Sequence, residues 1–488
     1  MSEPPIRPVP PLPAAPPESP SPTRLAAPTT FGVTSWPMWA LGLVILIDQF
    51  DQSIVRGAAK DIQEHFGVSD GAIGALLSAF IVVNGLMTVP AGYLADRWNR
   101  TRTIGHTVIA WSVITMATAA AGNFATLLLL RGLLGFGQAI TEPSAASALS
   151  DYYPTSRRGI VFSNQQVMGL VGAGLGIIAG GAIASEFGWR WAFLAAGPPG
   201  IVIAFVAYAL REPPRGYGDK LHLGVDEWPE VEKVALFEHG FGRFVGDTVR
   251  GLIADFKVIW SITTLRYALA GVSALMFTVS GVGAWLPQFH ERFNGLTEQQ
   301  ATSAIGLVLI LGGVPGVLLG GLLADRFMAK IAGARVVIPA WCLGIGNVFM
   351  MTSYFDAVPK YASLALQTLG VFTITMAIPS LRAGLADAVP AHLRGAGFGA
   401  FNLASIVFGV AAAPFIVGAL SNEFDLRVAF LIVSPPVFLG ALVLYRAKYH
   451  LDADAMRIFE AVMRAMQAEQ AEQAEQRSIN DAAHPSSE

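Results

Sequence analysis

The stretch Gly92-Tyr-Leu-Ala-Asp-Arg97 decides the fold, because it occurs twice in the chain. It returns as Gly321-Leu-Leu-Ala-Asp-Arg326, with a single residue changed. Two more patterns repeat in the same order: Asp151, Pro154, Arg158 and Gly159 with Asp387, Pro390, Arg394 and Gly395, and Glu186-Phe187 and Arg190 with Glu423-Phe424 and Arg427. Matches that keep their order along the chain indicate a duplicated structural unit.

The composition argues against a soluble protein. Of the 488 residues, 53% are hydrophobic and 14% are charged, and the mean hydropathy is +0.52. A soluble chain carries roughly 25% charged residues, so we expect a lipid bilayer to cover the surface. The formal net charge of −3 argues against a nucleic acid as partner, because phosphate binding needs a basic face.

Apolar runs of the length that crosses about 30 Å of hydrocarbon recur along the chain. They lie at 38–55, 73–94, 104–121, 124–148, 160–184 and 191–210, and again at 267–289, 303–323, 335–354, 361–386, 396–419 and 428–446. Together with the repeat, they predict an all-α membrane protein. Its twelve transmembrane helices should form two pseudo-symmetric six-helix bundles, at 36–210 and 267–447.

Three segments lie outside the two bundles. Residues 1–35 are rich in proline and lack the apolar core of a signal peptide, so we expect a disordered tail. Residues 211–266 are polar and predict a cytoplasmic linker between the bundles. Residues 448–488 begin with apolar side chains at helical spacing and predict a cytoplasmic amphipathic helix followed by a tail; a wholly solvated tail is the alternative.

Basic residues in the short loops predict the orientation. Arg97, Arg100, Arg102, Arg157 and Arg158 belong to loops on the side of the termini, and the opposite loops carry fewer lysines and arginines. Basic loops stay in the cytoplasm. We therefore expect both termini to be cytoplasmic and the protein to be a multi-pass protein of the plasma (inner) membrane.

The sequence contains no pattern of an enzyme or a metal site. Cys342 is the sole cysteine and lies in an apolar run, which favours a packing thiol. The histidines lack metal-ligand spacing, and no nucleophile elbow or phosphate-binding loop occurs. We predict no metal, no cofactor and no enzymatic activity.

The repeated motif is the basis of a family resemblance. Residues 92–102 resemble the loop between helices two and three in the major facilitator superfamily, and Arg131-Gly-Leu-Leu-Gly-Phe-Gly-Gln-Ala139 resembles its fourth-helix signature. The resemblance covers about residues 36–450. It implies two halves that rock about a central site and expose it to each side in turn.

Within the superfamily the chain is most similar to Spinster-like transporters. The similarity lies in Arg211-Glu-Pro-Pro-Arg-Gly216, in the glycine-rich fifth helix and in the acid of helix one; the anion–cation symporter branch is a close second through Phe187-Gly-Trp-Arg-Trp-Ala-Phe193. The resemblance implies an amphipathic or lipid-like substrate. Two departures stand out: Asp48-Gln-Phe-Asp-Gln52 replaces an Asn-Tyr-x-Asp-Arg pattern, and Gln138 replaces a glutamate of helix four.

Two sets of buried polar residues are candidates for the substrate and proton pathway, because charge inside a membrane helix is costly. Asp48 and Asp51 share a face of helix one, and either can carry a proton; alternatively, Asp51 lies near the outer mouth and only pairs with Arg56. The spacing of Arg131, Gln138 and Glu142 predicts one stripe of helix four that faces the cavity. Arg131 can bind an anionic head group or pair with Asp48 or Asp51, and Glu142 can take up a proton.

Four further residues are weaker candidates for contacts in this pathway: Gln165 and Gln166 in helix five, and Trp285 and Gln288 in helix seven. For Trp285 and its neighbour His290, an anchor at the outer membrane interface is the favoured interpretation.

The repeated loop motif predicts a conformational latch. Asp96 can pair with a nearby arginine or a helix N-terminus and hold the halves in the outward-open state, and Asp325 is its counterpart in the second half. The remaining members of the latch are Gly92, Arg97, Arg100 and Arg326.

We therefore predict a secondary active transporter that moves an amphipathic or lipid-like substrate by alternating access, coupled to protons and monomeric. An organic-anion/proton symporter and a multidrug exporter of the same fold are the alternatives within this class. The expected partners are a small amphipathic or anionic substrate, protons and the lipid bilayer. A non-transporting receptor and a lipid enzyme are the alternatives from other classes.

Overall fold

The computed structural model describes residues 35–153, 155–213, 260–320, 333–387 and 405–450, together with positions 246, 250, 257, 453, 454 and 456. Every regular element within these ranges is helical. The side chains of residues 88–97, which include Gly92, Asp96 and Arg97, lie outside the described part, as do Asp325, Arg326, the N-terminal tail and almost all of the linker and the C-terminal tail.

The described residues of the first half form eight helices. They are α1 (Trp36–Gly57), α2 (Ala59–Phe66), α3 (Asp70–Arg97), α4 (Arg100–Thr118), α5 (Phe124–Gln138), α6 (Thr141–Tyr152), α7 (Thr155–Phe187) and α8 (Trp189–Tyr208). Two of these helices begin with a side-chain N-cap. The Asn99 side chain accepts a hydrogen bond from the backbone N–H of Arg102 at 2.9 Å, and the Asn123 side chain accepts one from the backbone N–H of Thr126 at 2.8 Å. Such caps satisfy N–H groups that the helix itself leaves unpaired.

The second half follows the same plan. Its helices are α9 (Thr263–Asn294), α10 (Glu298–Val308), α11 (Ala334–Thr352), α12 (Lys360–Asp387), α13 (Ala413–Glu423), α14 (Leu426–Val433) and α15 (Pro436–Arg446). Thr297 and Gln300 form a capping box at the start of α10. Single π-helical turns at Leu309–Gly313 and Ile406–Val410 follow α10 and precede α13.

Ten helical segments of the described chain are long and apolar enough to cross a membrane, and Val336–Thr352 adds a shorter one. All twelve predicted spans overlap a described helix. The Arg100–Thr118 helix is not among the ten, and its many threonines and basic residues make it less apolar. The predicted span at 124–148 is one helix in the sequence but two in the structure, because Ala139 and Ile140 separate α5 from α6.

The two halves pack against each other through α3 with α13 and through α7 with α10. We call the end of the bundle that carries residues 58–69 and 295–297 the distal end, and the end that carries residues 35 and 450 the terminal end. The largest apolar core lies at the distal end and includes Ile62 and Trp189 of the first half with Phe289 and Phe430 of the second. The two next largest cores each lie within one half.

Glycines let α7 approach α1 closely. A Cβ atom on Gly172, Gly176 or Gly180 would lie 2.1–2.4 Å from the carbonyl oxygens of Leu46, Phe50 and Ile54. No side chain fits at that distance, so the four-residue glycine spacing brings the two backbones into contact. This packing holds the segment of α1 that contains Asp48 and Asp51.

Candidate transport site

Asp51 lies at the centre of the first half and is buried. The Thr115 hydroxyl of α4 donates to its Oδ1 at 2.8 Å, and the Gln138 amide of α5 donates to its Oδ2 at 2.9 Å. The interpretation that Asp51 lies at the outer mouth and only pairs with Arg56 is therefore wrong. Three helices converge on this one carboxylate.

Asp48 lies one turn before Asp51 and is buried as well. Gln49 and Gln52 donate to its Oδ2 at 3.3 and 2.8 Å, whereas its buried Oδ1 has no hydrogen-bond partner in the described structure. Asp51 and Glu142 both act on Asp48 electrostatically. The structure thus brings the three acids named from the sequence into one interacting group.

Arg131 of α5 stands opposite Asp51. Its guanidinium lies 5.8 Å from the ring centre of Phe80 and 5.6 Å from that of Phe193, and the charge of Asp51 acts on it. Its buried Nη1 lacks a hydrogen-bond partner in the described structure. Such a nitrogen is an available donor for an anionic ligand.

The predicted stripe of helix four is interrupted. Arg131 and Gln138 lie on one buried face of α5, as the spacing predicts. Glu142 follows the interruption at residues 139 and 140, lies in the first turn of α6 and is exposed. Its exposure distinguishes Glu142 from the buried acids Asp48 and Asp51.

A small cavity of about 30 Å³, room for roughly one water molecule, lies between the halves. Its lining residues are Gln52, Val55, Arg56, Leu76, Leu77, Phe80, Ile81 and Arg131 from the first half and Ser280, Ala284 and Pro414 from the second. Two arginines are thus among the lining residues, and none of the lining residues is an acid. Apolar side chains supply most of the remaining wall.

The candidates of helices five and seven do not line this cavity. Trp285 is fully buried, and its indole N–H donates to the Pro414 carbonyl at 3.0 Å. His290 is also fully buried, between Gln367 of α12 at 2.9 Å and Asn294 at 2.7 Å. The interpretation of Trp285 and His290 as interfacial anchors is therefore wrong, because both pack inside the protein.

Gln165, Gln166 and Gln288 have no established contact with the site. The Nε2 of Gln165 and the Oε1 of Gln288 are buried and lack hydrogen-bond partners in the described structure. Gln166 is partly exposed. A role for these amides in the pathway remains a prediction.

Arg100, expected in the latch, is fully buried at the terminal end of the first half. It donates to Asp151 at 2.5 Å, to Glu212 at 2.8 Å, to Ser147 at 3.0 Å and to the Pro213 carbonyl at 2.7 Å. All four partners precede the second half, so in this state Arg100 ties α4 and α6 to the start of the linker. The sequence signals for its acidic partners were the repeated Asp151 and the Arg211–Gly216 motif.

The distal end carries ion pairs between the halves that the sequence patterns did not single out. Arg292 of α9 makes two hydrogen bonds to Asp70 of α3, at 2.6 and 2.8 Å, and Ser421 of α13 donates to the same carboxylate at 2.8 Å. Lys60 of α2 lies 3.1 Å from Glu291. Burial acts to lower the pKa of Lys60, but the hydrogen bond and charge of Glu291 outweigh it and hold that pKa above its ordinary value.

These features define a class: a polytopic helical membrane protein of the transporter type, with buried charges at a cavity between two related bundles. A family model described as the Major Facilitator Superfamily matches residues 41–407. The chain belongs to the major facilitator superfamily.

Named relatives narrow the position within the superfamily. Human "Protein spinster homolog 3" is 26% identical over an alignment of 427 residues, and the match covers 82% of this chain and 78% of the relative. The "D-galactonate transporter" of Escherichia coli O6:H1 is 25% identical over an alignment of 416 residues, and the match covers 82% of this chain and 92% of the relative. The Spinster-like resemblance drawn from the sequence is thereby confirmed, together with a relation to organic-anion transporters.

A solved structure supports the fold. A bacterial homolog of the human lysosomal transporter Spinster, in an inward-facing and unoccupied conformation, matches with a TM-score of 0.70 and 20% sequence identity. The match covers 86% of this chain and 98% of that chain. The predicted major facilitator fold of two six-helix bundles is confirmed.

Proposed function

We propose that this transporter moves an amphipathic organic anion across the membrane by alternating access, and that proton binding to the acids of the first half drives the transport. The cavity at the interface of the halves carries the proposal. Two arginines and an apolar wall line it, and we propose that it widens to admit the substrate as the halves move. An anionic head group with an apolar body matches that lining.

Proton coupling rests on the acids beside this cavity. Asp51 is buried between Thr115 and Gln138, and its charge is coupled to that of Arg131. A proton on Asp51 would remove the charge that Arg131 faces, which would free that guanidinium for an anionic substrate. Glu142 is exposed and interacts with Asp48, so it is our candidate for the group that exchanges protons with solvent.

A small hydrophilic organic anion is the second candidate substrate. Two observations favour it: the cavity arginines, and the similarity to the D-galactonate transporter over 92% of that protein's length. The apolar wall of Val55, Leu76, Leu77, Phe80 and Ile81 favours the amphipathic substrate instead. The amphipathic anion would place an apolar chain against that wall, whereas the hydrophilic anion would place polar groups there.

The cellular arrangement is part of the proposal. We propose a monomer in the inner membrane with both termini in the cytoplasm. The distal end is then external, and the inter-half ion pairs and the shared core at that end fit an inward-facing state. The latch of Asp96 and Asp325 would act at the terminal end, when the transporter opens outward.

A ligand screen on the purified protein tests the substrate class. A ligand that binds the native state raises the apparent melting temperature. We expect single-chain lipids with an anionic head group to raise it more than neutral lipids of the same chain, and more than D-galactonate. A rise with hydrophobic cationic dyes alone would instead favour a multidrug exporter.

A further inference from the structure

Arg56 is the described cavity residue whose charge has no counterpart. It lies in the last turn of α1 and lines the cavity. Among the described residues it has no hydrogen-bond, ion-pair or ring partner, and its side chain is partly exposed. Arg131, on the same cavity, has Asp51 to balance it.

An uncompensated charge inside a membrane protein is costly. A place at the C-terminal end of a helix offsets part of this cost, because a cation there interacts favourably with the helix dipole. Exposed Arg446 gains the same benefit in the last turn of α15 without facing a cavity. The helix dipole therefore does not explain why Arg56 points into the cavity.

The surroundings of Arg56 indicate what compensates it. Gln52, one turn earlier on the same face of α1, lines the same cavity, and apolar Val55, Leu76 and Leu77 stand beside it. No acid lines this part of the described structure. A guanidinium in such a place has free donors and a weakly screened field, so an anion that enters the cavity would bind there.

We propose that Arg56 is the head-group anchor of the substrate site, and that it binds the anionic group whether or not Asp51 carries a proton. This assignment rests on the proposed function and deepens it, because it separates two tasks. Arg56 holds the anion through its permanent charge. Asp51 takes up the proton. Arg131 then loses its charged partner and adds a second contact to the anionic group of the substrate.

Binding measurements in lipid nanodiscs test this assignment, with empty nanodiscs as the blank. The ligands are octyl phosphate, octanoate and neutral 1-octanol, which share one chain length. Arg56→Gln should weaken the binding of octyl phosphate at least about tenfold and leave 1-octanol unchanged. Arg56→Lys should lose less affinity than Arg56→Gln, since it keeps the charge although it lacks the planar fork of donors. Octanoate shows whether a carboxylate is held in the same way as a phosphate.

Two controls separate anchoring from folding. Arg446→Gln removes a matched last-turn charge and should leave all three affinities unchanged. If Arg56→Gln does not fold, Arg56→Met takes its place, because its side chain fills the space of the arginine stem. The binding of 1-octanol reports that a variant is folded.

The outcomes distinguish the inference from the proposed function. If the wild type binds octyl phosphate more tightly than 1-octanol and a folded neutral variant of Arg56 does so equally well, the anchor is not Arg56 but the function stands. If the wild type binds neither anion, the proposed function fails together with the anchor.

Discussion

At the scale of single residues, the chemistry of the site depends on which carboxyl group exchanges a proton. Asp51 accepts hydrogen bonds from Thr115 and Gln138, and Glu142 is exposed. A coupled cycle must protonate and release such a group in turn. Asp51→Asn or Glu142→Gln fixes one charge state, so we expect the initial rate of uptake driven by a pH gradient in liposomes to fall at least about tenfold.

Substrate exchange is the informative companion measurement for these variants. Exchange at equal pH on both sides needs no net proton movement, so it should survive in part. Glu64→Gln neutralises an exposed acid of α2 and serves as the matched control. If Asp51→Asn and Glu142→Gln both accumulate substrate like the wild type, the acids are structural partners and the proton-coupling proposal is wrong.

The acids of this site could be predicted from the sequence, but not all of the side chains that donate hydrogen bonds to them. Asp48 and Asp51 stand out because charge is rare in an apolar run. Thr115 was missed, because a threonine in a membrane helix bonds its own backbone as readily as a distant acid. Trp285 and His290 were misread, because their place near the end of a span is the same in sequence whether they face lipid or the protein interior.

At the scale of helices, the contact of α1 with α7 sets the position of the acids. A methyl group on Gly176 would lie 2.3 Å from the Phe50 carbonyl oxygen. Gly176→Ala should therefore force the helices apart and lower stability by about 1–3 kcal/mol. The measurement is the apparent melting temperature in detergent.

Gly344 of α11 provides the control for this substitution. A methyl group there meets nothing within 4 Å, and alanine is the better helix former. Gly344→Ala should leave the melting temperature unchanged or raise it slightly. Equal melting temperatures for Gly176→Ala and the wild type would contradict the close backbone contact.

The ion pairs of the distal end should set the balance between the two open states. Outward opening must break the contact of Asp70 with Arg292, which joins α3 to α9. The guanidinium is partly exposed, so we expect Asp70→Asn to cost about 1 kcal/mol, which shifts the equilibrium toward the outward-open state about fivefold. Distances between spin labels on α2 and α14 report that shift.

A pair within one half provides the comparison. Arg427 and Asp356 form an ion pair at the same end, but both belong to the second half. Arg427→Gln should leave the distance distribution as in the wild type. An unchanged distribution in Asp70→Asn as well would mean that the Asp70–Arg292 pair does not hold the distal end closed.

The helices themselves were predicted well and their interruptions were not. Hydropathy marks a span whether or not the helix inside it is continuous, so the separation of α5 from α6 at Ala139 and Ile140 left no trace in the apolar pattern. The π turn at Leu309–Gly313 was missed for the same reason. Such details depend on the packing between helices.

At the scale of the whole molecule, the internal sequence repeat allowed the two-bundle architecture to be predicted from a single sequence. The repeated Gly92–Arg97 motif predicted two related halves, and the family model over residues 41–407 confirms the superfamily. The cavity could not be predicted in the same way. Its lining joins Gln52, Arg56 and Arg131 to Ser280 and Pro414, residues whose proximity follows from how the halves meet.

Uptake of a radiolabelled single-chain alkyl phosphate into liposomes tests the central claim most directly. The purified protein is reconstituted with and without a pH gradient, and protein-free liposomes give the baseline. The account predicts accumulation above that baseline that depends on the gradient and is lost in Asp51→Asn. Uptake equal to the protein-free baseline, in a preparation that binds the same ligand, would contradict a transporter of amphipathic anions and would favour a receptor.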